Sequence, residues 1–158
     1  MSMVNEVDFL YPGYMIMQTK EFYMVDITGK YLGEKRVEMI HGPSRAKIIT
    51  DAPVDNHGRG ESFSPTDLVA SALGTCMLTV MGIYAEQRSI DLKGSHFHVK
   101  KEMQPSPRKI ARLPIQIHLP KNISGTEREK LKEIALHCPV KKGLNPDIEI
   151  PLEFFFDV

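Results

Sequence analysis

The sequence predicts an α+β fold in which strands, a long helix, more strands, a second helix and a final strand follow one another in segregated blocks. Three observations carry this. Short β-rich runs fill the stretch from Phe22 to Thr50. Eighteen uncharged residues, Leu68 to Ala85, stand directly behind a strong helix start. The chain then returns to alternating runs and finishes on Phe154-Phe155-Phe156.

A length of 158 residues fits one domain over 1–158, with 1–20 read as a loosely ordered extension. Twenty basic and twenty acidic residues cancel, which removes the electrostatic case for nucleic acid or an anionic membrane as partner. The opening Met1-Ser2-Met3-Val4-Asn5-Glu6 has neither the basic region nor the apolar run of a signal peptide. The expected location is therefore the cytoplasm. Two cysteines in a chain of this size do not make a disulfide scaffold, and in a reducing compartment they are read as free thiols.

Taken in order, Phe22 to Ile27 reads as a strand ending at a Thr28-Gly29 turn, and Tyr31 to Gly33 resumes it. Arg36 to His41 alternates, Gly42-Pro43 breaks the run, and Ala46 to Thr50 forms another. Residues 51–63 hold a proline, glycines and polar residues, which marks a loop. Its place just before a helix makes it a candidate rim for a site. Ser64 is the expected N-cap, Pro65 suits the first helical position, and Asp67 lies three residues past the cap.

The run from Leu68 to Ala85 touches the lower length limit of a membrane span. Polar and small residues dilute it and no positive flank orients it, so it is read as a buried helix. A helix apolar on every side needs cover on every side. A second copy of the chain is the simplest cover, and Ala70, Gly74 and Gly82 would allow a close approach. Beyond it, Ser95 to Glu102 and Ile110 to Leu119 read as strands around a Pro105-Ser106-Pro107 turn. Thr126 with Glu129 forms a second capping box for a helix over Glu127 to His137. Cys138-Pro139 ends it, with a further turn to Gly143, and Ile148 to Phe156 closes the chain as a strand.

Sixty-one residues separate Cys76 from Cys138, so no CxxC or zinc-ribbon spacing is present. Cys76, mid-helix among apolar residues, fits a core cysteine as well as a reactive one. Cys138 precedes a proline-started turn near Lys141 and Lys142, where helix N–H groups and cations favour a thiolate. His96 and His98 share a strand face but suit a solvated face, and no metal is expected. Tyr23, Tyr31 and Phe63 serve a pocket or the core.

The segment Ser64-Pro65-Thr66-Asp67-Leu68, followed by a small-residue helix reaching Cys76, resembles the signature of the OsmC/Ohr family. Cys138-Pro139-Val140 after an amphipathic helix resembles that family's second cysteine. Pro107-Arg108-Lys109-Ile110 and the terminal phenylalanines agree, and the likeness runs from about Tyr31 to the C-terminus. The resemblance implies an OsmC-like fold of antiparallel sheets packed around a long central helix, in an intertwined homodimer. It also implies a thiol-dependent peroxidase acting on organic hydroperoxides. Cys76 would be the reactive cysteine and Cys138 the resolving one. Arg36 would activate the thiol, and Phe63, Glu61 and Met77 would contact substrate. An external dithiol would be the reductant, and no cofactor is needed.

The family carries Asn-Pro-Glu at the helix start, its glutamate partnering the arginine. Here the glutamate position holds Thr66, and Asp67 or Glu61 is the substitute. Arg36 is preferred to Arg45 as the arginine. The alternative function is a non-enzymatic OsmC-like dimer that binds a small apolar ligand, its cysteines structural.

Overall fold

The computed structural model describes residues 24–158. The expected extension 1–20, Tyr23 and the start of the strand read from Phe22 lie outside the described residues. Three antiparallel strands come first: β1 (Ile27–Gly33), β2 (Arg36–His41) and β3 (Lys47–Thr50), in the order β1-β2-β3. The Thr28-Gly29 turn does not occur. Both residues sit in the ladder opposite Ile40 and Met39, and the reversal falls at Glu34 and Lys35, whose φ values are 51° and 66°.

A loop containing a short 3₁₀ turn, Val54–Asn56, leads to α1 (Pro65–Glu86). Its start follows the sequence: Asp67 N–H donates to Ser64 Oγ at 3.1 Å, and Ser64 N–H donates to Asp67 Oδ2 at 2.8 Å. The loop is held folded by backbone bonds, Asp51 N–H to Phe63 O at 3.1 Å and Gly60 N–H to Ala52 O at 3.2 Å. Gly58 lies so close to Ala52 that a Cβ there would fall 1.7 Å from the Ala52 carbonyl oxygen.

The strand read over 95–102 divides into β4 (His96–Val99) and β5 (Glu102–Pro105), and that over 110–119 into β6 (Arg108–Arg112) and β7 (Ile115–Leu119). Pro114 has no N–H to give to a ladder, so the chain changes partner there. β5 and β6 form their own hairpin, while β7 pairs with β4 on one side and β8 (Leu152–Phe156) on the other. The β4–β7 pairing is antiparallel and β7–β8 parallel, so this sheet is mixed.

Helix α2 (Gly125–Leu136) starts two residues before the expected one. Its cap is Ser124, whose hydroxyl accepts from Glu127 N–H, and not Thr126. Both positions fit a Ser/Thr-x-x-Glu pattern, and the chain takes the earlier. Helix α3 (Pro139–Gly143) follows at once with Cys138 as its N-cap.

The core lies between one side of α1, the inner face of the β4-β7-β8 sheet and α2. Leu73, Met77 and Met81 of α1 are fully buried with Ile117 and Leu119 of β7 and Leu131 of α2. Gly74 belongs to this contact: a Cβ there would sit 2.3 Å from the Phe97 ring. The small residues expected to admit a second chain therefore divide. Ala70 is buried and Gly74 is filled by its own chain's Phe97, whereas Gly82 has nothing within 4 Å.

Helix α1 is long and apolar enough, by length and composition, to cross a membrane. It packs along one side against α2, α3 and β4. The opposite side shows Thr75, Thr79 and Ile83 exposed and Leu68, Ala72 and Cys76 half-buried. Thr75 and Thr79 turn their hydroxyls back to Ser71 O at 2.9 Å and Thr75 O at 2.8 Å, leaving methyl groups outward. The β1-β2-β3 sheet is bare in the same way: Ile27 is 65% exposed and Ile48 47%. Among the described residues, its strands pack substantially on one another and on no other element.

Candidate functional site

Cys76 lies on α1 at the margin between its packed and bare sides. Cys138 lies where α2 ends: His137 closes that helix through its N–H to Ile134 O at 3.0 Å, and Pro139 starts α3. Because α1 packs against both α2 and α3, two thiols far apart in sequence become neighbours in space. Both are free. Cys138 has no exposed surface, while Cys76 is half-buried.

Burial pushes the Cys138 thiol up to about 11, and the adjacent Cys76 thiol adds to the push. The backbone N–H groups of Lys141 and Val140 at the start of α3 only partly offset this. The cations and helix N–H groups that favoured a Cys138 thiolate in the sequence are present, but desolvation outweighs them. Cys138 is therefore a proton-bearing thiol at neutral pH.

Arg36 and Glu61 meet at the rim, Arg36 Nη1 donating to Glu61 Oε2 at 3.3 Å. Asp51 stands behind them, wholly buried at the end of β3. Its Oδ2 accepts from Glu61 N–H at 3.0 Å. That bond, the Ala52 and Arg59 N–H groups and the Arg36 charge outweigh burial and hold its carboxyl below the usual range. Asp51 Oδ1 and Arg36 Nε are both buried without a hydrogen-bond partner. Buried polar atoms of this kind are uncommon, and here one is a donor and one an acceptor within the same polar cluster.

Glu61 is thus the carboxylate that meets Arg36. Asp67 is engaged elsewhere, ion-paired with Lys101, whose ammonium also donates to Thr66 Oγ1 at 2.9 Å and Ser64 Oγ at 3.3 Å. Burial opposes the Asp67 charge, yet Lys101 and Ser64 together lower its pKa. Arg45 sits exposed in the β2–β3 turn at φ 60°. Arg59 of the rim loop pairs with Glu34.

An open groove of about 710 Å³ runs beside the helix start, lined by Glu61, Phe63, Asp67, Ala70, Ser71 and Lys101 among others. Two of the three residues expected at substrate, Phe63 and Glu61, line it. Met77 does not: it is fully buried in the core, on the side of α1 that faces β7. Nor does the groove reach its own chain's Cys76. Cys76 lies nine positions after Asp67, and at 3.6 residues per turn the two point to opposite sides of α1, about 180° apart. Among the described residues, no hydrogen bond or ion pair joins Arg36 to either thiol.

Asp51 and Lys101 have no counterpart in the sequence reading. An Asp after a β-run and before Ala-Pro looks like a turn former, and Lys101 looks like one position of an alternating strand. His96 finds a different partner from the one its strand face offered: it stacks on His118 across the sheet, ring centroids 4.6 Å apart. Among the described residues, no group of three or more His, Cys, Asp or Glu is placed to hold a metal ion.

The sequence profile of the OsmC-like protein family matches residues 58–153, from the rim loop through both cysteines to the last strand. The chain belongs to the OsmC-like family. A solved structure from Psychrobacter arcticus 273-4, named for an osmotic stress induced and detoxification response, shares 40% identity. The two superpose at a TM-score of 0.79 over 85% of this chain and 98% of that one. An organic hydroperoxide resistance protein OsmC from Legionella pneumophila shares the fold at 18% identity and TM-score 0.66, covering 86% of this chain and 99% of that one. Another from Elizabethkingia anophelis, solved with thiocyanate bound, does so at 15% identity and 0.69, covering 87% and 99%. No curated protein matches the chain. The α+β architecture is the OsmC fold.

Proposed function

We propose that this OsmC-like chain is a cysteine-based organic hydroperoxide reductase, working in the cytoplasm as a homodimer. The observation that carries the reading is the pairing of a half-buried Cys76 with a fully buried, proton-bearing Cys138. The two have the complementary properties that peroxide reduction uses. The accessible sulfur, as thiolate, attacks the outer peroxide oxygen. The O–O bond breaks, the alcohol leaves with a proton, and Cys76 becomes a sulfenic acid. The buried thiol attacks that sulfur, water leaves, and a Cys76–Cys138 disulfide forms. An external dithiol restores both thiols.

Two bare apolar surfaces support the second copy: the outer side of α1 and the β1-β2-β3 sheet. A copy seated there also answers where the activating charge comes from. Arg36 rides on the sheet that its own chain leaves unpacked, so the reading has Arg36 and Glu61 of one chain serve Cys76 of the other. Stoichiometric cumene hydroperoxide, followed by intact mass with and without thiol trapping, tests the chemistry. The expected product is 2 Da lighter than the reduced chain, a mass loss that follows from disulfide formation (about 2 Da). Two thiols that remain unmodified support the other reading, a dimer binding a small apolar ligand. The lack of an arginine against either thiol within one chain is the feature favouring that alternative.

A further inference from the structure

The disulfide offers a reductant two sulfurs, and the choice between them fixes the geometry of regeneration. Displacement at sulfur requires the attacking thiolate to reach the far side of the sulfur that it strikes. Cys138 sits at the junction of α2 and α3 with no exposed surface, and every side of it is closed by its own chain. It belongs to the same buried cluster as Leu131 and Ala135 of α2 and the core side of α1. No second copy is needed for that closure and none relieves it. Cys76 lies at the open margin of α1, and any path that admits a peroxide to Cys76 admits a thiol to the same atom.

Building on the peroxidase reading, we infer that the reductant's thiolate strikes Cys76 and never Cys138, so the mixed disulfide of the cycle is carried by Cys76. The S–S bond breaks with its electron pair on Cys138 Sγ, which takes a proton inside the core. The reductant's second thiolate then attacks its own sulfur in the mixed disulfide and expels the Cys76 thiolate. The dithiol leaves as a disulfide, oxidised by two electrons, and the protein regains both thiols.

Leaving-group chemistry argues the other way. The sulfur of lower pKa leaves faster, and burial gives Cys138 the handicap. Two features of the site reduce that handicap. Part of the push on Cys138 comes from the neighbouring Cys76 thiol, which no longer titrates once it is in the mixed disulfide. The Lys141 and Val140 N–H groups remain to receive charge on Cys138. Access, by contrast, is all or nothing, because bringing an external thiolate into the core would desolvate a charge without a partner.

The test uses the full chain, oxidised with one equivalent of cumene hydroperoxide and peptide-mapped to establish the Cys76–Cys138 disulfide. The monothiol N-acetylcysteine, which cannot finish the reduction, is added for graded short times. Acid quenching, N-ethylmaleimide and peptide mapping then show which cysteine carries the adduct and which was released. Extrapolated to zero time, the adduct is expected on Cys76 with N-ethylmaleimide on Cys138, in at least tenfold excess over the reverse. Cys138→Ser, whose sulfenic acid takes the adduct only at Cys76, supplies the reference peptide. Equal labelling, or an adduct mainly on Cys138, overturns the inference while leaving the peroxidase reading intact. A first map with no disulfide overturns both.

Discussion

Gly74→Ala puts a methyl carbon where the Phe97 ring already is. The added Cβ would lie 2.3, 2.4 and 2.7 Å from three ring carbons, against the roughly 3.5–4.0 Å at which carbons rest. Relief requires the ring to withdraw by about 1 Å or more, into a core already filled by Leu73, Met77, Ile115 and Ile117. Overpacking of this kind costs about 1–3 kcal/mol. Alanine recovers about 1 kcal/mol over glycine in a helix interior. The net destabilisation is thus about 0–2 kcal/mol, a fall in Tm of up to about 8 °C for a chain of this size. Gly82 is the internal control: with nothing within 4 Å, Gly82→Ala should gain about the propensity term unless a second chain closes on it. Thermal unfolding at one fixed protein concentration measures both, since association makes Tm concentration-dependent. A double variant, Gly74→Ala with Phe97→Leu, should lose less than the sum of its parts. A gain in stability in Gly74→Ala equal to that in Gly82→Ala would refute the α1–β4 packing from which the position of Cys76 follows.

The other expectations concern the site. Arg36→Ala should slow oxidation of Cys76 by cumene hydroperoxide at least about tenfold, equivalent to ~1.4 kcal/mol, and Arg45→Ala less, by stopped flow with circular dichroism as the folding control. If Arg36 acts across the dimer, mixing Arg36→Ala with Cys76→Ser chains should restore part of the rate in the mixed dimer, and no recovery argues for a role within one chain. Asp51 has its folded pKa lowered, so its hold on the rim loop is complete above the ordinary carboxylate value near 3.8 and is lost as pH falls through the folded one. Exchange of the Glu61 amide should therefore quicken in acid beyond the intrinsic trend, and Asp51→Asn should remove that step. Reduced protein at pH 8 should take iodoacetamide at Cys76 well before Cys138, and Cys76→Ser should lower the Cys138 titration followed at 240 nm, because the Cys76 thiol helps to raise it.

What the sequence made legible was local. Ser64, Pro65 and Asp67 start a helix wherever they stand before an apolar run, and they do so here. The two cysteines were nominated by motif, and the packing of α1 on α2 and α3 then made them neighbours. Strand breaks were less visible, because Pro114 and the Glu34-Lys35 reversal depend on which strand pairs with which. The site's charges were least visible of all. The sequence left both Asp67, next in line, and Glu61, in the preceding loop, open as the stand-in for a glutamate at position 66. In the fold, Lys101, from the link between β4 and β5 34 residues on, captures Asp67, and the loop brings Glu61 back across 25 residues to Arg36. An ion pair is chosen by whichever cation the topology delivers first, and a one-dimensional reading holds no information on delivery. The same reasoning explains why Asp51 went unnoticed. Its task is to accept N–H groups from a loop that returns ten residues later, and only the folded loop shows that a carboxylate is needed there. Among the described residues no arginine bonds to Cys76, which borders the bare side of α1, while Arg36 rides on the bare β1-β2-β3 sheet. In the proposed homodimer, a second copy would cover both apolar surfaces and bring Arg36 of one chain to Cys76 of the other.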